Sequence, residues 1–226
     1  MKKKNIKAPT FQLSRQQWEA LEHRIKEEMK ASPDSHGWDH IRRVYNLCLK
    51  IGRKEKADLT VLKLSALLHD IGRKEEQDSK GTRCHALVGS QKALKIMVGL
   101  GIPRIIQKEV LHCIRSHRFR GRQSPRSLEA KILFDADKLD SIGAVGIGRA
   151  FLFAGEVGAR LHNSHKDLSG TVSYSREDTA YREFQFKLKK VRDRMQTTSG
   201  KAMAEGRHRF MVRFFNHLDA EVSGKK

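Results

Sequence analysis

Val61-Leu62-Lys63-Leu64-Ser65-Ala66-Leu67-Leu68-His69-Asp70 runs an apolar segment directly into an adjacent imidazole and carboxylate. Left unpaired at a buried helix end, such a pair costs roughly several kcal/mol. Something must compensate it, and a divalent cation is the simplest candidate. The dipeptide alone is a weak signal, because 11 histidines and 12 aspartates in 226 residues give about 0.6 such pairs by chance. Its company is stronger. Upstream lies His36-Gly37-Trp38-Asp39-His40, followed by Ile41-Arg42-Arg43-Val44, and downstream lies Asp135-Ala136-Asp137-Lys138-Leu139-Asp140 in another apolar stretch. An ordered His, His-Asp, Asp series, each member flanking a helical segment, is how a helical bundle assembles a metal site.

Helical periodicity dominates the chain, with four prolines and little strict apolar-polar alternation, so the expected fold class is all-α. Helices are expected over roughly 15 to 30, 39 to 53 (ended by Gly52), from Asp58 as a cap to the doublet, His85 to Met97, and Arg104 to His117. Residues 72 to 83 contain no apolar side chain and read as a loop, a natural place for an active-site mouth. Residues 177 to 195 place Phe184, Leu188, Val191 and Met195 on one helical stripe. Residues 202 to 222 do the same for Met203, Phe210, Met211, Phe214, Phe215 and Leu218. Gly143-Ala144-Val145-Gly146-Ile147-Gly148 lacks the βαβ surroundings of a dinucleotide loop and reads as close helix packing. Thr197-Thr198-Ser199-Gly200-Lys201 lacks the first glycine of a P-loop. His36 and His40 stand one turn apart, with His36 in the cap region, and His162, His165, His208 and His217 are expected at the surface.

A charge of +20 and a pI near 10.2 draw polyanions to the chain. The aromatic residues of the basic C-terminal third fall on the apolar stripe instead of interleaving with its charges, so nonspecific nucleic-acid affinity is expected there and not a single-strand platform. Cys48, Cys84 and Cys113 are odd in number and lack paired short spacing, which suits reduced thiols. No apolar h-region follows Met1-Lys2-Lys3-Lys4, and no run of about 18 apolar residues occurs. A cytoplasmic protein without a membrane partner is therefore expected.

The His40, His69-Asp70 and Asp137 series resembles the HD-domain metal-dependent phosphohydrolases, in particular their small single-domain bacterial and archaeal branch. The resemblance covers roughly residues 36 to 160. It implies an HD-domain-like helical bundle forming one domain over 1–226, with 36–160 as the metal-binding core and 161–226 as supporting helices. It also implies His40, His69, Asp70 and Asp137 as metal ligands. On a helix, 137 and 140 share a face while 135 points elsewhere, so Asp140 could stand behind the ligands. In members with two metals, further histidines hold the second ion, and here His85 and His117 are the candidates, with His112 third. His112 and His117 are five apart and do not share a face.

Two imidazoles and two carboxylates suit Mn²⁺ first, with Fe²⁺, Ni²⁺ or Zn²⁺ as alternatives, and Mg²⁺ less, because it prefers oxygen and water. The expected activity is hydrolysis of a nucleotide or related phosphoester or phosphoanhydride through a metal-activated water. Asp70, Arg73, His117 and Lys138 are the candidate catalytic residues, with Glu75 and Glu76 as weaker proton acceptors in an exposed loop. Arg115 to Arg126 holds five arginines and no acid, which is either a phosphate clamp or a solvated basic loop. Arg118, Arg120 and Arg122 of that segment, with Arg149 and His85, are the candidate substrate-binding residues. Two other readings remain. One is a two-metal cyclic-dinucleotide phosphodiesterase, although the Gly-Tyr-Pro signature is missing from Ser116 to Gly121. The other is a non-catalytic basic nucleic-acid-binding or regulatory helical protein.

Overall fold

Five of the α-helices among the described residues begin where a side-chain oxygen takes over an orphan backbone N–H. Ser14 forms a reciprocal capping box with Gln17, and Asp58 accepts from the N–H groups of Thr60 and Val61. Ser127, Thr179 and Thr197 cap in the same way. The computed structural model describes residues 11–32, 34–79, 82–118, 123–163 and 167–226. Among these it contains α1 (Arg15–Met29), α2 (Trp38–Glu55), α3 (Leu59–Leu68), α4 (Arg73–Asp78), α5 (His85–Gly99), α6 (Arg104–Ser116), α7 (Leu128–Leu139), α8 (Gly143–Glu156), α9 (Ala180–Phe186) and α10 (Thr198–Val222). There is no strand among the described residues, so the fold is all-α as expected.

α3 is the central post. Leu62, Leu64, Ala66, Leu67 and Leu68 are fully buried and Val61 nearly so, because α2, α6 and α7 pack around it. Each leucine contributes about 1.5–3 kcal/mol relative to an exposed position. Gly52 does not end α2, which runs on to Glu55. A Cβ at Gly52 would run into Leu62 and come within 3.1 Å of Leu59, so this glycine is a packing device between α2 and α3. Lys56, at a φ of 59°, then turns the chain.

Residues 73–78 were expected to be loop and instead form α4, a helix with no buried residue. Ion pairs hold it in place of apolar contacts: Arg73 with Asp70 at 2.9 Å, and Glu75 with Lys92 of α5 at 2.9 Å. Residues 177–195 are likewise not one helix, since α9 ends at Phe186 and 3₁₀ turns follow at Leu188–Lys190 and Arg192–Arg194. Phe184, Leu188, Val191 and Met195 are nonetheless all buried, because tight turns of similar period keep them on the inner side. On α10, Met211 and Phe215 are buried and Phe215 stacks on Phe184 at 4.4 Å, but Phe210 is 44% exposed, being off the inward stripe.

α10 docks onto α7 through Asp135, whose carboxylate accepts from the N–H groups of Gln196 and Thr197 and the Thr197 hydroxyl. Thr197 to Lys201 is thus a helix start, as the missing P-loop glycine implied. Gly146 approaches Ser141 and Met211 so closely that no side chain fits, and Gly143 lies against Arg207, as the packing reading implied, whereas Gly148 meets nothing within 4 Å. No helix of the described residues is long and apolar enough to cross a membrane.

Candidate metal centre

Five helices deliver six donors to one buried point. His40 comes from the first turn of α2, His69 caps the C-terminus of α3, and Asp70 follows in the turn to α4. His85 opens α5, His117 caps α6, and Asp137 lies in the last turns of α7. All six are at most 7% exposed. The donors fall into two groups, His40/His69/Asp137 and Asp70/His85/His117, and within each group the ligand atoms lie within 4.8 Å of one another. Donors about 2.1 Å from one cation span roughly 4 Å, so either group can close on an ion with small side-chain shifts.

The hydrogen bonds of the four imidazoles point the same way. Nδ1 of His40 meets Asp140 Oδ2 at 2.8 Å, and that of His85 meets Glu76 Oε2 at 2.7 Å. Nδ1 of His69 meets the Ala66 carbonyl at 2.9 Å, and that of His117 meets the Ile114 carbonyl at 2.6 Å. Carbonyls and carboxylates only accept, so each Nδ1 carries a proton, and in the tautomer this fixes for a neutral ring each Nε2 turns a lone pair into the cluster. Two such pairs face each other: His40 and His69 Nε2 at 3.3 Å, and His85 and His117 Nε2 at 3.2 Å. Opposed lone pairs with no proton between them are repulsive unless a cation accepts both.

Asp70 completes the fit. Its Oδ2 lies 3.5 Å from His40 Nε2 and 3.7 Å from His69 Nε2, while Oδ1 lies 3.6 Å from His85 Nε2 and 3.4 Å from His117 Nε2. The carboxylate therefore borders both groups, and Oδ1 is buried without a hydrogen-bond partner, an orphan that a cation would satisfy. Burial pushes the His69 and His85 rings down to about 4, so both are neutral donors near pH 7. Burial works against the charge on Asp70, but Arg73 and the neighbouring imidazoles hold its carboxyl well below the ordinary range. Lys138 and the cluster histidines do the same for Asp137.

A second layer fixes these donors. Asp140 Oδ1 accepts from Arg43 Nε at 2.7 Å, and Oδ2 accepts from Arg43 Nη2 and Arg149 Nη1, each at 3.1 Å, so Asp140 does stand behind His40. Asp135 points away, into the α10 cap. Arg73 donates to Asp70 and Glu76, while Arg118 donates to the Cys84 sulfur and pairs ionically with Glu76 Oε1 at 3.1 Å. Lys138 Nζ lies 2.5 Å from Asp137 Oδ2. Arg120 and Arg122 lie outside the described residues. His112 accepts from the Arg126 N–H and is not in either donor group.

Neither glutamate is an exposed loop residue free to take a proton. Glu75 is occupied by Lys92. Glu76 is only partly exposed, and His85, Arg73 and Arg118 override its burial and hold its carboxyl at about 2. His36 is not a simple cap either. It ends a 3₁₀ turn (Asp34–His36), and Gly37 starts α2 anew, so His36 and His40 do not share one helix. Their rings nevertheless meet edge to face at 5.9 Å, while His36 takes Ser35 Oγ, itself bound to Glu156. Burial, with Arg73 and Arg149 nearby, pushes the His36 ring well down. His162 was expected at the surface, but its ring packs on Tyr181 at 4.4 Å with a side chain 4% exposed.

The HD-domain profile matches residues 37–142, which hold all six donors. YpgQ of Bacillus subtilis is 36% identical over 193 residues, covering 84% of this chain and 85% of YpgQ. The chain belongs to the HD-domain family. Its helical bundle is similar to solved structures of that family. The crystal structure of YpgQ in complex with ADP has a TM-score of 0.71 and 32% identity, over 91% of this chain and 95% of that one. An HD-superfamily hydrolase from Bacillus thuringiensis has a TM-score of 0.69 and 27% identity, over 92% and 97%. A Lactobacillus plantarum protein reaches 0.74 at 25% identity, over 94% and 100%. HD domains bind divalent metals, and this HD fold is that of a metal-dependent hydrolase.

Proposed function

We propose that this HD-domain chain is a phosphohydrolase acting on a nucleotide, cleaving a phosphoester or phosphoanhydride bond. The observation that carries the reading is Asp70, buried between two sets of donors with one oxygen unsatisfied. In this proposal His40, His69, Asp70 and Asp137 hold one divalent cation, Mn²⁺ first among the candidates, and Asp70, His85 and His117 hold a second. Such ions lower the pKa of water and polarise a phosphoryl oxygen. Arg73 keeps Asp70 ionised and aligned. Lys138, beside Asp137, supplies positive charge to the phosphoryl group. Arg118, part-exposed beside Glu76, receives the outer phosphates together with Arg120 and Arg122. The nucleotide assignment draws on YpgQ, which was crystallised with ADP. The chain acts as one domain, in which α10 braces α7 through Asp135 and so steadies Asp137.

The second donor group favours one further reading, a cyclic-dinucleotide phosphodiesterase with two metals. Anaerobic purification, elemental analysis and a screen of nucleoside mono-, tri- and cyclic phosphates with Mn²⁺ test both. Bound divalent metal with release of phosphate or pyrophosphate supports the first, and a linear dinucleotide or mononucleotide from a cyclic one supports the second. Metal-free protein that cleaves none of these would overturn the proposal.

A further inference from the structure

A cavity of about 740 Å³ opens between α1, the start of α2 and α8, and none of the six donors lines it. This volume is typical of small-molecule sites. Its walls carry four cations, Lys26, Lys30, Arg43 and Arg149, against the single lining carboxylate Asp39. Asp140 offsets part of the arginine charge from behind. It also keeps the two guanidiniums from wandering: Arg43 gives it Nε and Nη2, and Arg149 gives it Nη1 while Nε binds the Ser35 carbonyl. Arg43 Nη1 and Arg149 Nη2 make no hydrogen bond within the described residues. Lys26 and Lys30 are exposed, and the contact of Lys30 with Glu27 is a surface pair of small worth. The rest of the lining includes Trp38, Val145 and Leu152, with Gly148 leaving its part of the wall open.

We propose that this cavity binds a nucleoside di- or triphosphate, its phosphates on the four cations and its base against Trp38, Val145 and Leu152. The arginines are pre-set forks for phosphate oxygens, the lysines add charge at the rim, and the apolar wall takes a planar ring. The site stands apart from the donor cluster and does not depend on the hydrolase reading. It connects to that cluster, because the same two guanidiniums hold Asp140, and Asp140 holds His40.

Trp38 provides the readout, since the chain has two tryptophans and Trp18→Phe leaves Trp38 alone. ADP, inorganic pyrophosphate and adenosine are titrated into full-length Trp18→Phe protein in chelator while its emission is followed. The same titrations are repeated with Lys26→Glu/Lys30→Glu added, and with His69→Ala added. A saturable response to ADP is expected, weakened at least tenfold by the lysine reversals and changed less than twofold by His69→Ala. Pyrophosphate and adenosine each bind at least tenfold more weakly than ADP. No saturable response, equal affinity after lysine reversal, loss of binding in the His69→Ala protein, or pyrophosphate binding as well as ADP would each overturn the proposal. Equilibrium dialysis of labelled ADP against the wild-type chain and against Lys26→Glu/Lys30→Glu in the wild-type background, which changes only exposed positions, gives the same comparison without Trp18→Phe. Absence of phosphate release would sink the hydrolase reading and leave this result standing.

Discussion

Asp140→Asn removes the carboxylate on which one side of the metal centre rests. Asp140 is 1% exposed and accepts from His40 Nδ1 at 2.8 Å, from Arg43 at 2.7 and 3.1 Å, and from Arg149 at 3.1 Å. Asparagine keeps one acceptor oxygen, and its amide NH₂ then confronts N–H donors. The His40 ring loses the partner that fixes its tautomer and orientation, a loss that typically lowers metal affinity 10–100-fold, or about 1.4–2.7 kcal/mol. Arg149, whose side chain is 15% exposed, is left with a poorly paired charge. Breaking a buried pair costs about 3–5 kcal/mol, and the part-exposed Arg43 reduces that figure by remaining hydrated. At about 2–4 °C per kcal/mol, the metal-free protein should melt on the order of 10 °C lower. Calorimetric titration with Mn²⁺ and thermal melting in chelator measure the two effects separately. Arg43→Met, which keeps the His40–Asp140 contact, should change Mn²⁺ affinity less than Asp140→Asn. An Asp140→Asn protein that binds Mn²⁺ within about twofold of wild type would show that His40 does not need this carboxylate to hold the ion.

Gly72→Ala places a Cβ against the His85 carbonyl and 2.6 Å from the Gly89 nitrogen, both backbone, so denaturant unfolding should show a loss of about 3 kcal/mol or more. Gly99→Ala meets nothing within 4 Å and should leave stability unchanged or raised by up to about 1 kcal/mol. In chelator, stability should fall with acid in two stages. The His69 and His85 rings sit at about 4 in the fold against an ordinary 6.5, so the unfolded chain binds their protons first. The stability they contribute above about pH 6.5 is lost on the way down to 4, roughly a few kcal/mol in all. Glu76 and Asp140, held at about 2, lose theirs between about pH 4 and 2, and a melting temperature flat from pH 7 to 4 would contradict this. Glu76→Gln, which weakens the acceptor of His85 Nδ1, should lower the affinity of the Asp70/His85/His117 group while sparing the other group. Stepwise Mn²⁺ binding curves would reveal that.

The parts of the centre written as local pattern are legible in the amino-acid sequence. The run from Val61 to Leu68 marks a helix buried on all sides, and the doublet at its end could only be buried too. Helical facing separated Asp137 and Asp140 from Asp135. What stayed hidden depends on how elements meet. α4 has no apolar face, so periodicity is silent about it, and its helix rests on ion pairs to Asp70 and Lys92. Glu76 reaches His85 only because that helix forms. Gly37 restarts the chain between His36 and His40, so their spacing did not disclose how the rings meet. The turns after Phe186 keep a helical burial pattern without a continuous helix, and this tells them apart from a helix only once packing is seen.

One carboxylate, Asp70, borders both sets of donors. Mn²⁺ stoichiometry, measured by calorimetry and elemental analysis on wild type, His117→Ala and Asp70→Ala proteins, tests most directly whether it serves both. Two ions per chain are expected in the wild type, one in His117→Ala, and weakening of both sites in Asp70→Ala. Two ions bound as tightly to Asp70→Ala as to the wild type, or none bound to the wild type, would contradict it.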